Sequence, residues 1–457
     1  MILFLLISWF SYAYSIDPIC SFIAATNVGG FAATSMWMCN STGTPMTDPC
    51  SSNWTGIMCN GNDATSDIIS INVTGLSGSL CPAIGSFSQL QELQLPVGRL
   101  TGSIPGTVGS LSAIQFFNLN NNSLTGSIPV EILDATSLSS LHLAANLING
   151  SIPELNGLTR LVDITLADNR LTGSLPAMGS LQVLTALLMF ENKLVGTAPS
   201  YLGALPALEE LGLSDNHFVG KLPDLSALSR LKAVALGGNN FTGSVPSAWC
   251  ALTNIEILGI SVNSLSGTLP SCLLRNLSQL VLIGVNNNLL TGTLPAVVGN
   301  LTALRQLYLD DNLFTGTLSG ELMSFSALNL LDVGSNRLTG SLPSSIGAPG
   351  SLTGLFVGTN SLTGTIPPEI SACSNLSVVY FSYNSITGTL PAVMGGMRSI
   401  VGIMAGFNNF EGTIPSALAC LSGLQVLGLQ STQIGQIVHV FCGLLADRFC
   451  LFIRLLI

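Results

Sequence analysis

From Leu328 to Pro343, apolar residues at Leu328, Leu331, Val333 and Leu338 frame one asparagine, Asn336, and a Leu-Thr-Gly-Ser-Leu-Pro tail closes the phrase. The same phrase stands around Asn312 and Asn360. Its asparagine recurs at Asn122, Asn146, Asn169, Asn192, Asn216, Asn239, Asn263, Asn288, Asn312, Asn336, Asn360, Asn384 and Asn408, always 23 to 25 residues apart. Thr74, Gly98 and Thr432 hold the slot in weaker copies, which makes 16 units. A unit this short buries almost nothing alone. Stacked units share their inward aliphatic rows as one core, so the period predicts a solenoid held by neighbour contacts. Within a unit, Leu331-Asp332-Val333 and Leu307-Tyr308-Leu309 alternate inward and outward as strands do. Stacking such strands gives a parallel sheet. The asparagine closes the turn after the strand, where an amide can bond backbone groups of a curved chain.

The tail is more specific than the period. Leu100-Thr-Gly102-Ser-Ile-Pro105, Leu124-Thr-Gly126-Ser-Ile-Pro129 and Leu362-Thr-Gly364-Thr-Ile-Pro367 share one pattern. It resembles the plant-specific class of leucine-rich repeat, seen in ectodomains of plant receptor kinases and in polygalacturonase-inhibiting proteins. The resemblance covers residues 50 to 434. It implies an α/β solenoid of about 16 coils, with the parallel β-sheet on the concave face, a short second strand from the tail and a superhelical twist. On this reading residues 66–434 are the solenoid.

Before it, Cys50-Ser-Ser-Asn-Trp54-Thr-Gly56-Ile-Met-Cys59 resembles the N-terminal cap of the same class, with Ile57 in place of the usual valine. The resemblance implies a cap over residues 16–65, a Cys50–Cys59 disulfide, and Trp54 covering the first coil. A cap is also required physically, since the first coil would otherwise expose its apolar end and an unpaired sheet edge. Whether Cys20 and Cys39 form a second bridge cannot be deduced from sequence. Cys250 and Cys272 lie in successive coils, where pairing and separate burial are both open, and Cys373 occupies a slot for a small core residue. With 11 cysteines at least one has no intrachain partner, and there is no Cys-x-x-Cys.

The ends bear on compartment. Residues 1–15 carry an apolar run from Ile2 to Phe10 and a small-x-small site at Ala13-Tyr-Ser15, which reads as a signal peptide, although no Lys or Arg precedes the run. Nine Asn-x-Ser/Thr sequons, at Asn40, Asn53, Asn72, Asn121, Asn149, Asn240, Asn276, Asn300 and Asn375, point the same way, to a secreted or cell-surface glycoprotein. Residues 435–457 form an apolar tail. The insertion gain of its thirteen Leu, Ile, Val and Phe residues is cancelled by Asp447 and Arg448, about 2.5 to 3.5 kcal/mol each, so a C-terminal cap with Cys442–Cys450, a weak membrane anchor and a truncated end all stay open. No kinase motif is present.

Composition removes other classes. Charged residues make up only 8% and the net charge is -10, with nothing basic clustered, which speaks against nucleic acid. The three histidines are far apart, and no serine resembles a nucleophile elbow. Asp310, Asp311 and Asp332 form the one carboxylate group of interest, about 8 Å across by strand spacings. An open strand face should offer neither burial to raise a pKa nor a water-excluding pocket, so the expectation is no enzyme, no cofactor and no metal.

The informative positions are the outward residues between the strand leucines. Gly212, Ala235, Gly259 and Gly284 leave the middle coils bare, whereas Tyr308, Asp332, Phe356, Tyr380 and Met404 follow in consecutive coils, flanked by Asp310, Asp311, Tyr383 and Phe407. The repeat asks for nothing large there, and grouped exposed aromatics mark recognition surfaces. Tyr308, Asp310, Asp332, Phe356, Tyr380, Tyr383 and Met404 are therefore the candidate ligand-binding residues. The resemblance implies a receptor-like ectodomain binding a peptide, carbohydrate or protein ligand, or a co-receptor. An inhibitor of a secreted cell-wall hydrolase and a glycosylated structural rod are the alternatives.

Overall fold

Leu-x-Leu triplets spaced one coil apart pair side by side because each triplet presents the same inward residue and the same free backbone edge. The computed structural model describes residues 57–60, 67–80, 82–294 and 301–434. The chain forms two compact units, 1–184 and 185–457.

In the first unit, Ile68–Asn72, Glu92–Gln94, Phe116–Asn118, Ser140–His142 and Asp163–Thr165 make one parallel ladder, and Ile57–Cys59 pairs antiparallel with Ile68–Asn72. The register is in step: Ile71, Leu93, Phe117, Leu141 and Ile164 stack as a column with 0% exposure. The second unit has eleven such strands, from Ala186–Leu188 to Val426–Gly428, again parallel and in register. The described residues thus hold one strand for each of the 16 expected coils. Leu331 and Val333 are fully buried while Asp332 between them is not, as the alternation predicted.

The asparagine slot is a hydrogen-bond ladder. Asn336 Nδ2 donates to Val333 O and Gly334 O in its own turn and to Leu309 O one coil earlier, at 3.2, 2.9 and 3.0 Å. Its Oδ1 accepts from Phe314 N at 3.0 Å. One amide therefore bonds four backbone groups across two coils, and the asparagines of adjacent coils share carbonyls such as Leu309 O and Val333 O. The residue just before it adopts a left-handed conformation (φ 48° at Ser335, 61° at Tyr383, 53° at Phe407), and its N–H bonds forward to the next coil, as from Ser335 to Gly358 O.

The tail forms the second strand that the resemblance implied. Thr339–Ser341 pairs with Ser361–Thr363, and His217–Lys221 pairs with Asn240–Gly243. Thr339 Oγ1 donates to Gly316 O at 3.2 Å, and Thr315, Thr291, Thr242 and Thr387 repeat the bond in their own coils. The glycine is needed because its φ is near 77° at Gly340 and the methyl of Thr317 packs where a Cβ would stand. Among the described residues, helical structure is limited to single 3-10 turns, such as Pro368–Ala372 after Pro367, and one α turn at Leu273–Asn276.

Cys250 and Cys272 are bridged. Cys373 is buried with its thiol against Ile346 O, and Cys420 is exposed. Of the predicted glycosylation sites, Asn72, Asn121, Asn149, Asn240, Asn276 and Asn375 are all exposed. The signal peptide, the Cys50–Cys59 bridge, Trp54, Cys20, Cys39, Asn40, Asn53, Asn300 and the 435–457 tail lie outside the described residues. Among the described residues no helix is long and apolar enough to cross a membrane.

Candidate functional site

The predicted outward residues form one column. Tyr308 pairs with Asp332, Asp332 with Phe356, Phe356 with Tyr380 and Tyr380 with Met404, each directly opposite the next. At about 4.8 Å per strand the five span about 20 Å. All are part-exposed. They are not upright: glycines beside them let the side chains lie on the backbone. A Cβ at Gly354 would stand 2.8 Å from Phe356 Cε2, and one at Gly402 would stand 3.5 Å from Met404 Sδ. A Cβ at Gly358 would collide with the Tyr380 ring. On the other side of Tyr308, Gly284, Gly259 and Gly212 pair along the same ladder with Ala235, so the floor there is backbone.

Tyr383 and Phe407 add a second row. Their rings stack at 4.3 Å, 8° from parallel, and they are 48% and 37% exposed. Both sit at the left-handed position before the asparagine, where a bulky side chain is uncommon.

The acidic end departs from expectation. Burial, then the Asp332 charge, then Asp311 push the Asp310 carboxyl up to about 7, against bonds from its own backbone and from Asn286. Asp332 is raised to about 6, chiefly by burial; the Gly334 N–H, which Asp332 Oδ1 accepts at 2.9 Å, opposes this, and Asp311 adds to it. The Tyr308 hydroxyl is also raised, by burial and then by Asp332 and Asp310. The strand face thus does offer enough burial to shift a carboxylate, contrary to the expectation for an open sheet. Asp310 Oδ1 is buried with no hydrogen-bond partner, and so is Gln306 Oε1, two residues before Tyr308.

Two contributors were missed in the sequence. Asn286, which meets Asp310 and accepts from Ser261 Oγ, lies two positions after the bare Gly284, so reading only the central column passed over it. In the first unit, Asp163 joins Ser140 Oγ (2.8 Å) and His142 Nε2, with the His142 ring edge-on to Phe116. Burial alone would push the Asp163 carboxyl up; the bonds from His142 and Ser140 and the His142 charge outweigh it and hold the group below its usual value. Asp163 stands two positions before Thr165 and was invisible for the same reason. Ser140 bonds the carboxylate rather than the imidazole, so no activated nucleophile results. Among the described residues no group of three or more metal-ligating side chains is close enough to hold a metal ion.

No family model and no curated protein matched the chain. Solved structures did. The TDR receptor aligns with 29% identity over 80% of this chain and 68% of that chain, with a TM-score of 0.73. The Arabidopsis receptor kinase HAESA, solved with the peptide hormone IDA and the co-receptor SERK1, aligns with 26% identity over 90% of this chain and 82% of that chain, TM-score 0.70. The plant peptide hormone receptor RGFR1, solved with RGF2, aligns with 26% identity over 81% of this chain and 75% of that one, TM-score 0.58. With this similarity to plant receptor ectodomains, and with the strand ladder described above, the chain is a leucine-rich-repeat protein of the plant type.

Proposed function

We propose that the protein recognises an extended peptide outside the cell, on the strand face from Tyr308 to Met404, as a receptor-like ectodomain or secreted binder. The observation that carries this is the in-register column of Tyr308, Asp332, Phe356, Tyr380 and Met404, whose side chains the repeat does not require. Aromatic rings supply apolar area at low entropic cost, and the carboxylates supply charged hydrogen bonds. An extended peptide fits because about 20 Å is the length of roughly six extended residues. Two of the similar receptors were solved with peptide hormones, which favours a peptide over a carbohydrate. The six exposed sequons agree with a secretory route. Nothing in the acidic group or at Asp163 supplies a reaction, so the reading is binding without catalysis.

The test is selection of random heptapeptides on the immobilised full chain, followed by calorimetric titration of the enriched sequences. Binding should weaken about 30-fold or more in both Phe356→Ala and Tyr380→Ala. Affinity unchanged from the parent in both variants overturns the assignment of the face.

A further inference from the structure

We propose that the Tyr308 end of this face receives the cationic side chain, lysine or arginine, of the bound peptide, beside Tyr308, Asp310 and Asp332. This rests on the reading of the face as a peptide site and adds which residue class it selects and in which orientation.

Three observations meet there. Asp310 and Asp332 come from adjacent coils, and the Asp332 charge acts on Asp310. The ion pairs among the described residues are His142–Asp163 and Lys232–Glu209, so neither carboxylate has a basic partner. One oxygen of Asp310 is shut off from water with nothing donating to it. A partly buried acidic pair with no counter-charge is unfavourable for the fold, and the repeat gains nothing from it. A ligand cation beside the pair would relieve that repulsion. An arginine fork carries donors enough for both carboxylates, and the Tyr308 ring can lie against its plane.

The aromatic groups lie on the other side. Phe356, Tyr380, Tyr383 and Phe407 occupy the following coils and carry no charge. The face is therefore polar in the chemical sense: a cation at the Tyr308 coil and apolar residues toward the Met404 coil.

Occupancy by a cation is coupled to proton release. The groups facing Asp310 are Asp332 from the next coil, Asp311 and Tyr308 from its own, and the neutral Asn286 from the preceding one; none is basic. Since Asp310 sits near 7 and Asp332 near 6, mild acid neutralises the free site and weakens binding.

The same heptapeptide selection decides this. At pH 8 the enriched sequences should carry Arg or Lys at one end and apolar or aromatic residues beyond it. Affinity should fall about tenfold or more between pH 8 and pH 5. In Asp310→Asn/Asp332→Asn the basic preference and the pH dependence should both vanish, while apolar peptides still bind through Phe356 and Tyr380. Enriched sequences without basic residues, or an unchanged basic preference in the double Asn variant, overturn this inference. If binding survives both Phe356→Ala and Tyr380→Ala, it is the face itself that is wrong, so the two failures are distinguishable.

Discussion

The aromatic ring of Tyr380 rests on the backbone of Gly358, one coil earlier, where any Cβ would collide with its Cδ1–Cε1 edge. The glycine is thus part of the site: it sets the height at which the ring lies. Gly358 does not have a left-handed backbone, so alanine is excluded there by the ring and by Ser382 O, 2.9 Å from the added Cβ, rather than by φ. Gly358→Ala should destabilise by about 1 to 3 kcal/mol through overpacking. Adding Tyr380→Ala should restore part of that stability, since the contact with Ser382 O remains, but not peptide binding. Thermal melts of the single and double variants check the coupling, and additive losses would show that the two residues do not touch.

Tyr380→Ala alone separates packing from recognition. The side chain is part-exposed on the outer face, so its removal should cost only about 0.5 to 1 kcal/mol of stability. The same change should cost about 2 kcal/mol of binding. Denaturant titration and calorimetry on one preparation give both numbers.

Asp310→Asn should make the fold more stable at neutral pH. The folded-state pKa is raised above the unfolded value, so the group binds protons more tightly when folded. Its destabilising effect is absent below about 4 and develops as pH rises through the interval up to about 7. The melting temperature of the variant should exceed that of the parent at pH 8 and match it at pH 4. The same gain at both pH values would mean that Asp310 acts through shape rather than charge.

Asn336→Ala removes an amide that serves four backbone groups in two coils. A loss of about 1 to 3 kcal/mol is expected: Phe314 N loses its acceptor, while Leu309 O, Val333 O and Gly334 O keep donors in Asn312, Asn360 and Asp311 N. Ser385→Ala, exposed and one residue past the equivalent slot at Asn384, should change stability by no more than about 0.5 kcal/mol. Comparable losses in the two would remove the ladder from the account of the fold.

The Cys250–Cys272 bridge links positions 22 residues apart. Replacing both by serine should cost about 2 to 4 kcal/mol by releasing unfolded-chain entropy. Equilibrium unfolding of the double variant under oxidising conditions measures it, and an unchanged midpoint would show that the bridge does not hold the two coils.

The sequence by itself determined everything that repeats. Strand phase followed from Leu331-Asp332-Val333, because alternation leaves one choice of inward face, and register followed from the coil length, because each strand contacts only its two neighbours. The asparagine turn was legible for the same reason, as was the outward column from Tyr308 to Met404. The tertiary structure decided what depends on particular neighbours across coils. Whether Cys250 meets Cys272 depended on the path of two turns, not on spacing alone. That Tyr383 and Phe407 stack follows from their shared left-handed position, a conformation that a bulky residue does not announce. The burial of Asp310 and Asp332 was the opposite of what an open sheet suggests. The packing around these carboxylates removes them from water, and that surrounding is assembled from more than their own coil. Periodicity is written in single residues; desolvation is a property of their surroundings, and only folding assembles those.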